Sequence, residues 1–143
     1  MKQYSVIADD LTGAGDTGVQ FSKAGLKARI LHAGWRSPDA ADAHILVAQT
    51  ESRALPAEEA YETVRAQVQR LVDSGALPTY KQVDSTLRGQ TGRELDAVMD
   101  VSGQKLALVC PAVTAYGRIR VGGRPLGAGR LGSRTSCGGA SGH

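Results

Sequence analysis

Short apolar runs alternate with longer amphipathic segments along most of this 143-residue chain. The apolar runs have the length and composition of β-strands and lie at residues 4–8, 27–33, 44–50, 79–83 and 106–110. The first, third and fifth are apolar enough to be buried on both faces, as in a parallel sheet. Three segments with helical spacing lie between the runs. This alternation predicts an α/β fold with a doubly wound, mainly parallel sheet.

Boundary signals accompany the helical segments. In the second, Pro56 suits the first turn and Gly75 suits the position just after the end. The apolar residues between them follow helical spacing and are Tyr61, Val64, Val68, Leu71 and Val72. The third begins with Thr91-x-x-Glu94, the pattern of a capping box, and ends near Gly103. The first helix has small residues on one face for close packing on the sheet, namely Ala14, Gly18 and Gly25 beside Phe21.

The composition changes after Gly117. From Arg118 onward the chain has eight glycines, five arginines and no acidic residue. Such a segment buries too little apolar surface to offset the ordering of its backbone. We therefore expect one incomplete domain over residues 1–124 and a disordered C-terminal tail over residues 125–143.

The charge distribution argues against nucleic acid as a partner. The chain as a whole has a net charge of +3, yet all 14 acidic residues precede Gly117, where they outnumber 12 Lys and Arg residues. Aromatic residues amount to 4%, so the stacking platforms of single-strand binders are missing. No signal peptide and no apolar run of about 18 residues is visible, so we expect a cytoplasmic protein without membrane contact.

The two cysteines predict neither a metal site nor a disulfide. Cys110 and Cys137 lie far apart, and neither has a cysteine or histidine partner at the spacing of metal ligands. A buried free thiol is the ordinary interpretation of Cys110.

Polar clusters follow three of the predicted strands. They are Asp9-Asp10, residues 50–53 and residues 81–89. The carboxyl ends of parallel strands form the edge where α/β sheets bind ligands. The acids there can accept substrate hydroxyls, while the cations can pair with a carboxylate or phosphate; these cations are Arg53, Lys81 and Arg88. The implied ligand is a small polyhydroxylated anion.

Two nucleotide-related interpretations compete with this one. A G-x-G-x-x-G at Gly13, Gly15 and Gly18 suggests dinucleotide binding, but Asp16 lies inside the motif and four residues separate it from the strand. The stretch DLTGAGDT also resembles the catalytic loop of ribokinase-like sugar kinases, with Asp16 as the base at a helix start. In those enzymes, however, the motif lies late in the chain.

Each candidate residue also has a purely structural interpretation. Asp84, Ser85 and Thr86 are typical of a turn with a helix cap. Asp9 or Asp10 suits a loop cap, and Asp16 suits an N-cap. Single arginines and lysines are most often solvated charges.

Four segments in the same order and spacing resemble one family. They are IADDLTGAGDTGVQFSKAGL, TESRAL, KQVDSTLRGQTGRELDAVMD and LALVCPAVTAYGRIRVGGR. Together they are similar to the N-terminal domain of the four-carbon acid sugar kinases, which include threonate, erythronate-type and 3-oxo-tetronate kinases. The resemblance covers residues 4–124.

The resemblance implies that the opening loop holds the acid sugar and that a separate C-terminal domain carries ATP. It implies substrate contacts at Asp9, Asp16, Arg53, Lys81, Ser85, Arg88 and Gly89. Asp10 and Asp84 are our candidates for the general base, since an acceptor hydroxyl needs a nearby carboxylate. Arg88 is our candidate for the substrate carboxylate. ATP and Mg²⁺ are implied for the family but are not expected to bind this chain on its own, and we expect no metal ligand in it.

The end of the chain departs from the family. After Arg124 the sequence continues as PLGAGRLGSRTSCGGASGH, a composition typical of out-of-frame translation of a GC-rich gene. We therefore expect a truncated or frameshifted kinase fragment that is inactive alone, because phosphoryl transfer depends on a phosphate cradle and Mg²⁺. The alternatives are a stand-alone module that binds the acid sugar and one half of a split kinase whose ATP-binding domain is a separate partner chain.

Overall fold

The fold is known from a computed structural model that describes residues 2–36 and 42–113, together with the backbone of residues 119–121, 124–127 and 130–131. The first seven elements are β1 (Tyr4–Ala8), α1 (Leu11–Lys23), β2 (Ala28–Leu31), β3 (Ile45–Gln49), α2 (Ala57–Asp73), β4 (Leu77–Lys81) and α3 (Thr91–Ser102). Three short strands follow, which are β5 (Ile119–Val121), β6 (Arg124–Gly127) and β7 (Arg130–Leu131).

The first four strands form one parallel sheet in the order β2-β3-β1-β4. The crossover from β1 to β2 runs through α1, and the crossover from β3 to β4 runs through α2. The predicted α/β class with a doubly wound parallel sheet is confirmed. The fourth strand was expected at residues 79–83 and instead spans residues 77–81, so Gln82 and Val83 lie beyond its end.

The sheet has a hydrophobic core on each face, and alternate residues of the central strands belong to different cores. Val6 and Ala8 of β1 pack with Ala14 of α1. Ile7, between them, belongs to the core formed with Val64 of α2 and other residues of α2 and α3. Side chains alternate between the faces of a strand, so helices on both faces require the apolar runs seen in the sequence.

The helix boundaries agree with most of the sequence signals. Gly75 and Gly103 follow α2 and α3 with φ angles of 86° and 69°, a left-handed conformation that favours glycine. Pro56 lies at the N-cap of α2, one position before the helix. Val72, expected on the apolar face of α2, is 37% exposed.

The strand predicted at residues 106–110 is wrong. The segment is irregular, and Leu106 and Leu108 are 87% and 96% exposed. A strand needs a hydrogen-bonding neighbour as well as apolar side chains, and within the described chain β4 pairs with β1 alone. Cys110 is exposed, so the prediction of a buried thiol is also wrong.

The last described strands form a separate antiparallel sheet in the order β5-β6-β7. Residues 125–127 and 130–131 of the expected tail therefore belong to strands, of which β6 begins at Arg124. The remainder of the expected disordered tail, residues 128–129 and 132–143, lies outside the described residues. Within the part of the chain that is described, no helix is long and apolar enough to cross a membrane.

Candidate functional site

Asp9 and Asp10 follow β1 directly and bind one arginine from the loop after β3. Arg53 Nε donates to Asp9 Oδ2 at 2.8 Å, and its Nη2 donates to Asp9 Oδ1 at 3.0 Å. Its Nη1 donates to Asp10 Oδ2 at 2.6 Å. The guanidinium fork matches a carboxylate with two parallel hydrogen bonds, which compensate for the burial of Asp9. The hydrogen bonds to Asp9 raise the pKa of Arg53 above its ordinary value.

Asp84 organises the loop after β4. Its Oδ2 accepts from the backbone N–H groups of Thr86 at 3.0 Å and Arg88 at 3.2 Å, and from the Thr86 hydroxyl. Arg88 Nε and Nη2 add bonds of 3.1 Å to Oδ2 and 2.7 Å to Oδ1. Burial would raise the pKa of Asp84, but the hydrogen bonds from Arg88 and Thr86 outweigh it and hold this pKa well below its ordinary value. Asp84 is therefore ionised at neutral pH.

Backbone conformation brings Arg88 back onto Asp84. Leu87 has a φ of 60° and Gly89 a φ of 85°, so two left-handed residues flank the arginine. The Leu87 N–H also donates to the Asp84 carbonyl at 2.8 Å. A left-handed leucine is strained, and such strain persists where the surrounding contacts determine the loop.

Arg53 joins the two loops. Its Nη2 lies 4.0 Å from Asp84 Oδ1, in addition to its bonds with Asp9 and Asp10. Gly89 packs against the backbone of Arg53. A Cβ at Gly89 would lie only 3.2 Å from the Arg53 carbonyl oxygen. We call Asp9, Asp10, Arg53, Asp84 and Arg88 the strand-end cluster. It contains three acids and two arginines from the carboxyl ends of β1, β3 and β4, as the sequence predicted.

Lys81 lies apart from this cluster, in a buried ion pair. Its Nζ is 2.9 Å from Glu94 Oε2, and the two side chains are 4% and 1% exposed. Ser52 Oγ donates to the other oxygen of Glu94. The sequence prediction of a capping box at Glu94 is wrong, because the N-cap of α3 is Gln90 and no side chain caps it. Glu94 is the residue that the sequence analysis missed, since its spacing from Thr91 indicated a cap.

Asp16 and Ser85 have different positions. Asp16 is exposed within α1, whose N-cap is Asp10, so the N-cap interpretation of Asp16 is wrong. Of the two acids that suited a loop cap, Asp10 is the one that caps a helix. The ribokinase-like interpretation needed Asp16 at a helix start, which the fold does not provide. Ser85 is half-buried in the turn between Asp84 and Thr86.

The first glycine of the G-x-G-x-x-G lies at the capped start of α1. The Gly13 N–H donates to Asp10 Oδ1 at 2.7 Å, so a carboxylate already occupies the helix start that a phosphate would need. A Cβ at Gly13 would lie 2.5 Å from Gln82 Oε1, and one at Gly18 would lie 3.9 Å from Val47. Gly13 therefore allows a close approach of α1 to Gln82, whereas at Gly18 a Cβ would make only an ordinary contact.

No group of side chains in the described part of the chain has the composition of a metal site. The carboxylates of the strand-end cluster are bound by arginines, which are poor neighbours for Mg²⁺. These residues therefore do not fit a resident Mg²⁺–nucleotide.

Comparison with known proteins identifies the family. The profile of the sugar-binding N-terminal domain matches residues 4–139, so the chain belongs to this family. A D-threonate kinase from Salmonella typhimurium is 41% identical over 122 residues, which are 85% of this chain and 29% of the relative. A D-erythronate kinase from Heliobacterium modesticaldum is 38% identical over 126 residues, 86% of this chain and 29% of the relative. The predicted resemblance to four-carbon acid sugar kinases is confirmed.

A solved structure supports the fold. A domain of unknown function from Bordetella bronchiseptica, crystallised with bound citrate as a domain-swapped dimer, is 40% identical and has a TM-score of 0.82. The match covers 90% of this chain and 33% of that chain. The chain thus spans about a third of the length of the proteins that it matches.

Proposed function

We propose that this chain binds a four-carbon sugar acid and presents one of its hydroxyl groups for ATP-dependent phosphorylation. The observation that supports the proposal is the strand-end cluster, in which Arg53 joins acids from two loops within a sugar-binding family fold. The relatives named above are kinases of D-threonate and D-erythronate. The related structure from Bordetella bronchiseptica holds citrate, which also combines carboxylates with a hydroxyl group.

Arg88 is proposed to bind the substrate carboxylate. Its side chain is 60% exposed, whereas that of Arg53 is 22% exposed and bound to two acids. Its bonds to Asp84 use Nε and Nη2. Within the described chain Nη1 has no hydrogen-bond partner, so it can engage an anion without loss of the contact to Asp84.

Asp10 is proposed as the general base, which accepts the proton of the substrate hydroxyl group. Its side chain is 21% exposed, while that of Asp84 is 8% exposed. The lowered pKa of Asp84 makes its carboxylate a weak proton acceptor, so Asp84 suits the orientation of Arg88 better than general base catalysis. Asp9, buried against Arg53, is proposed to hold that arginine in place.

ATP and Mg²⁺ are proposed to bind in the part of the relatives that this chain does not match. Phosphoryl transfer relies on a phosphate cradle and on metal ions that neutralise the developing charge. In the described chain the Gly13 N–H at the start of α1 is bound to Asp10, whose carboxylate would repel a phosphate. The chain would therefore contribute the acceptor side of the reaction.

Titration with D-threonate and D-erythronate, followed by NMR, tests the proposal. Both acids should shift the amide signals of Gly13 and Gly89, and the neutral tetritols should bind far more weakly. Arg88→Ala should remove about 1.5–3 kcal/mol of binding free energy by deleting a charge-assisted contact. Arg65→Ala is the matched control, because Arg65 is 55% exposed on α2 and pairs with Glu62 away from the cluster. Equal affinity in the two variants would refute the assignment of Arg88.

A further inference from the structure

The Lys81–Glu94 pair is a buried charged group that the proposed function does not use. Both side chains are nearly inaccessible, at 4% and 1% exposure, and Nζ lies 2.9 Å from Oε2. Lys81 Nζ also donates to the Gln82 carbonyl at 2.7 Å. Two of the three ammonium protons are therefore bound within the protein. An ammonium in this position is poorly placed to contact a sugar acid.

A chain of hydrogen bonds connects Glu94 to the loop that carries Arg53. Glu94 Oε1 accepts from Ser52 Oγ, and Ser52 Oγ lies 2.8 Å from Thr50 Oγ1. The single proton of Thr50 Oγ1 can go either to Ser52 Oγ or to the Ala8 carbonyl at 3.0 Å, and the Thr50 backbone N–H donates to that same carbonyl at 2.9 Å, beside Asp9. This series of hydrogen bonds thus links the start of α3 to the ends of β3 and β1.

Ser52 immediately precedes Arg53 and is fully buried. Glu51, on its other side, has a φ of 53°, so the loop holds a strained conformation. Arg53 must bind Asp9 and Asp10 at once, so a displacement of its Cα would misalign the hydrogen bonds of its guanidinium fork. A fixed Ser52 therefore fixes the starting point of the Arg53 side chain.

We propose that Glu94 is a positioning residue of the sugar site, which holds Ser52 and thereby Arg53, and that Lys81 is its counter-ion rather than a ligand of the substrate. A buried ion pair adds little net stability compared with apolar residues of similar size. Its directional bonds nevertheless fix the geometry of the elements that they join. The expected effect of Glu94 on sugar-acid binding rests on the proposed function. Its expected effect on the position of Arg53 does not depend on any ligand.

The smallest test compares Ser52→Ala with Ser5→Ala. Both serines are fully buried, and Ser5 Oγ has no hydrogen-bond partner in the described chain. Ser52→Ala should shift the NMR signal of the Arg53 Nε–H group and weaken D-threonate binding about five- to tenfold, as expected for the loss of one hydrogen bond. Ser5→Ala should change neither. An unchanged Arg53 signal in Ser52→Ala would overturn the proposal, even if no sugar acid binds the wild type.

A second pair of variants separates Glu94 from Lys81. Lys81→Met with Glu94→Gln removes both charges but keeps an acceptor for Ser52, whereas Lys81→Met with Glu94→Leu removes that acceptor as well. The first should bind D-threonate within about twofold of wild type, and the second should show the loss seen in Ser52→Ala. A large loss in the first variant with an unchanged Arg53 signal would mean that Lys81 contacts the substrate, which contradicts the proposal. If either double variant fails to fold, the Ser52→Ala comparison decides.

Discussion

Asp84 and Arg88 form a two-point ion pair across a single turn of the loop after β4. Nε and Nη2 of the arginine donate to the two carboxylate oxygens at 3.1 Å and 2.7 Å. The pair lies at one side of Arg53, whose Nη2 is 4.0 Å from the same carboxylate. An anion that binds Nη1 of Arg88 would therefore lie beside the Asp84 carboxylate, which Arg53 links to the acids of the first loop.

The Asp84 pair predicts a specific acid sensitivity. The pKa of Asp84 is lowered in the folded state, so its contribution to stability is complete above its unfolded pKa of about 3.9 and is lost as the pH falls below that value. Urea unfolding of the wild type should therefore show a steep loss of free energy below about pH 4. The Asp84→Asn variant should be less stable than wild type at pH 7. Its free energy of unfolding should fall less steeply than that of wild type below about pH 4. Asp73→Asn, at an exposed position on α2, controls for the removal of one charge.

Arg53→Met should be strongly destabilising, because it leaves Asp9 buried without a partner. The side chain of Asp9 is 2% exposed, and breaking one partner from a buried pair costs about 3–5 kcal/mol. Adding Asp9→Asn should restore a large part of that loss, since the buried charge is then absent. The free energies of unfolding of wild type, both single variants and the double variant give the coupling free energy between Arg53 and Asp9. Additive effects would show that Arg53 does not stabilise Asp9.

Gly89→Ala should damage the site more than Gly75→Ala, although the two backbones are alike. Their φ angles are 85° and 86°, so alanine adds about 1–2 kcal/mol of backbone strain at either position. A Cβ at Gly89 would also meet the Arg53 carbonyl oxygen at 3.2 Å, whereas one at Gly75 meets nothing within 4 Å. Gly89→Ala should therefore also weaken D-threonate binding, which isothermal titration measures. Equal binding by both variants would mean that the Gly89–Arg53 contact does not shape the site.

The position of the strand-end cluster could be predicted from the sequence, but the pairings within it could not. Parallel strands bring their carboxyl ends to one edge, so Asp10, Arg53 and Asp84 were expected together there. Which acids Arg53 binds depends on side-chain directions across more than 40 residues of chain. Lys81 and Glu94 show the difficulty most clearly. A glutamate three residues after a threonine has the same spacing in a capping box and in a helix that directs that glutamate inward.

The sequence also could not predict that the segment after α3 is exposed and is not a strand. Leu106 and Leu108 are apolar, as a buried strand requires, yet apolarity does not specify the neighbour that would bury them. The helix ends were easier, because Gly75 and Gly103 are required by left-handed backbone at the same positions where the patterns stop.

Two glycines of the first helix, Gly13 and Gly15, should respond in opposite directions to alanine. Gly15 has open space around its missing Cβ, so Gly15→Ala should stabilise the helix by about 0.5–1 kcal/mol. Gly13 is buried, and its Cβ would lie 2.5 Å from Gln82 Oε1 and 2.8 Å from Asp10 Oδ1. Gly13→Ala must therefore displace the residue that caps α1, and the loss of such a cap costs about 1 kcal/mol.

The measurement is urea unfolding of both variants, combined with D-threonate titration. Gly13→Ala should be less stable than wild type and should bind the acid more weakly, because Asp10 moves. Gly15→Ala should be more stable and should bind normally. If both variants gained stability equally, the close approach at Gly13 would not be what excludes a side chain there. The glycine would then be free to serve a phosphate, and the nucleotide interpretation of the G-x-G-x-x-G would have to be reconsidered.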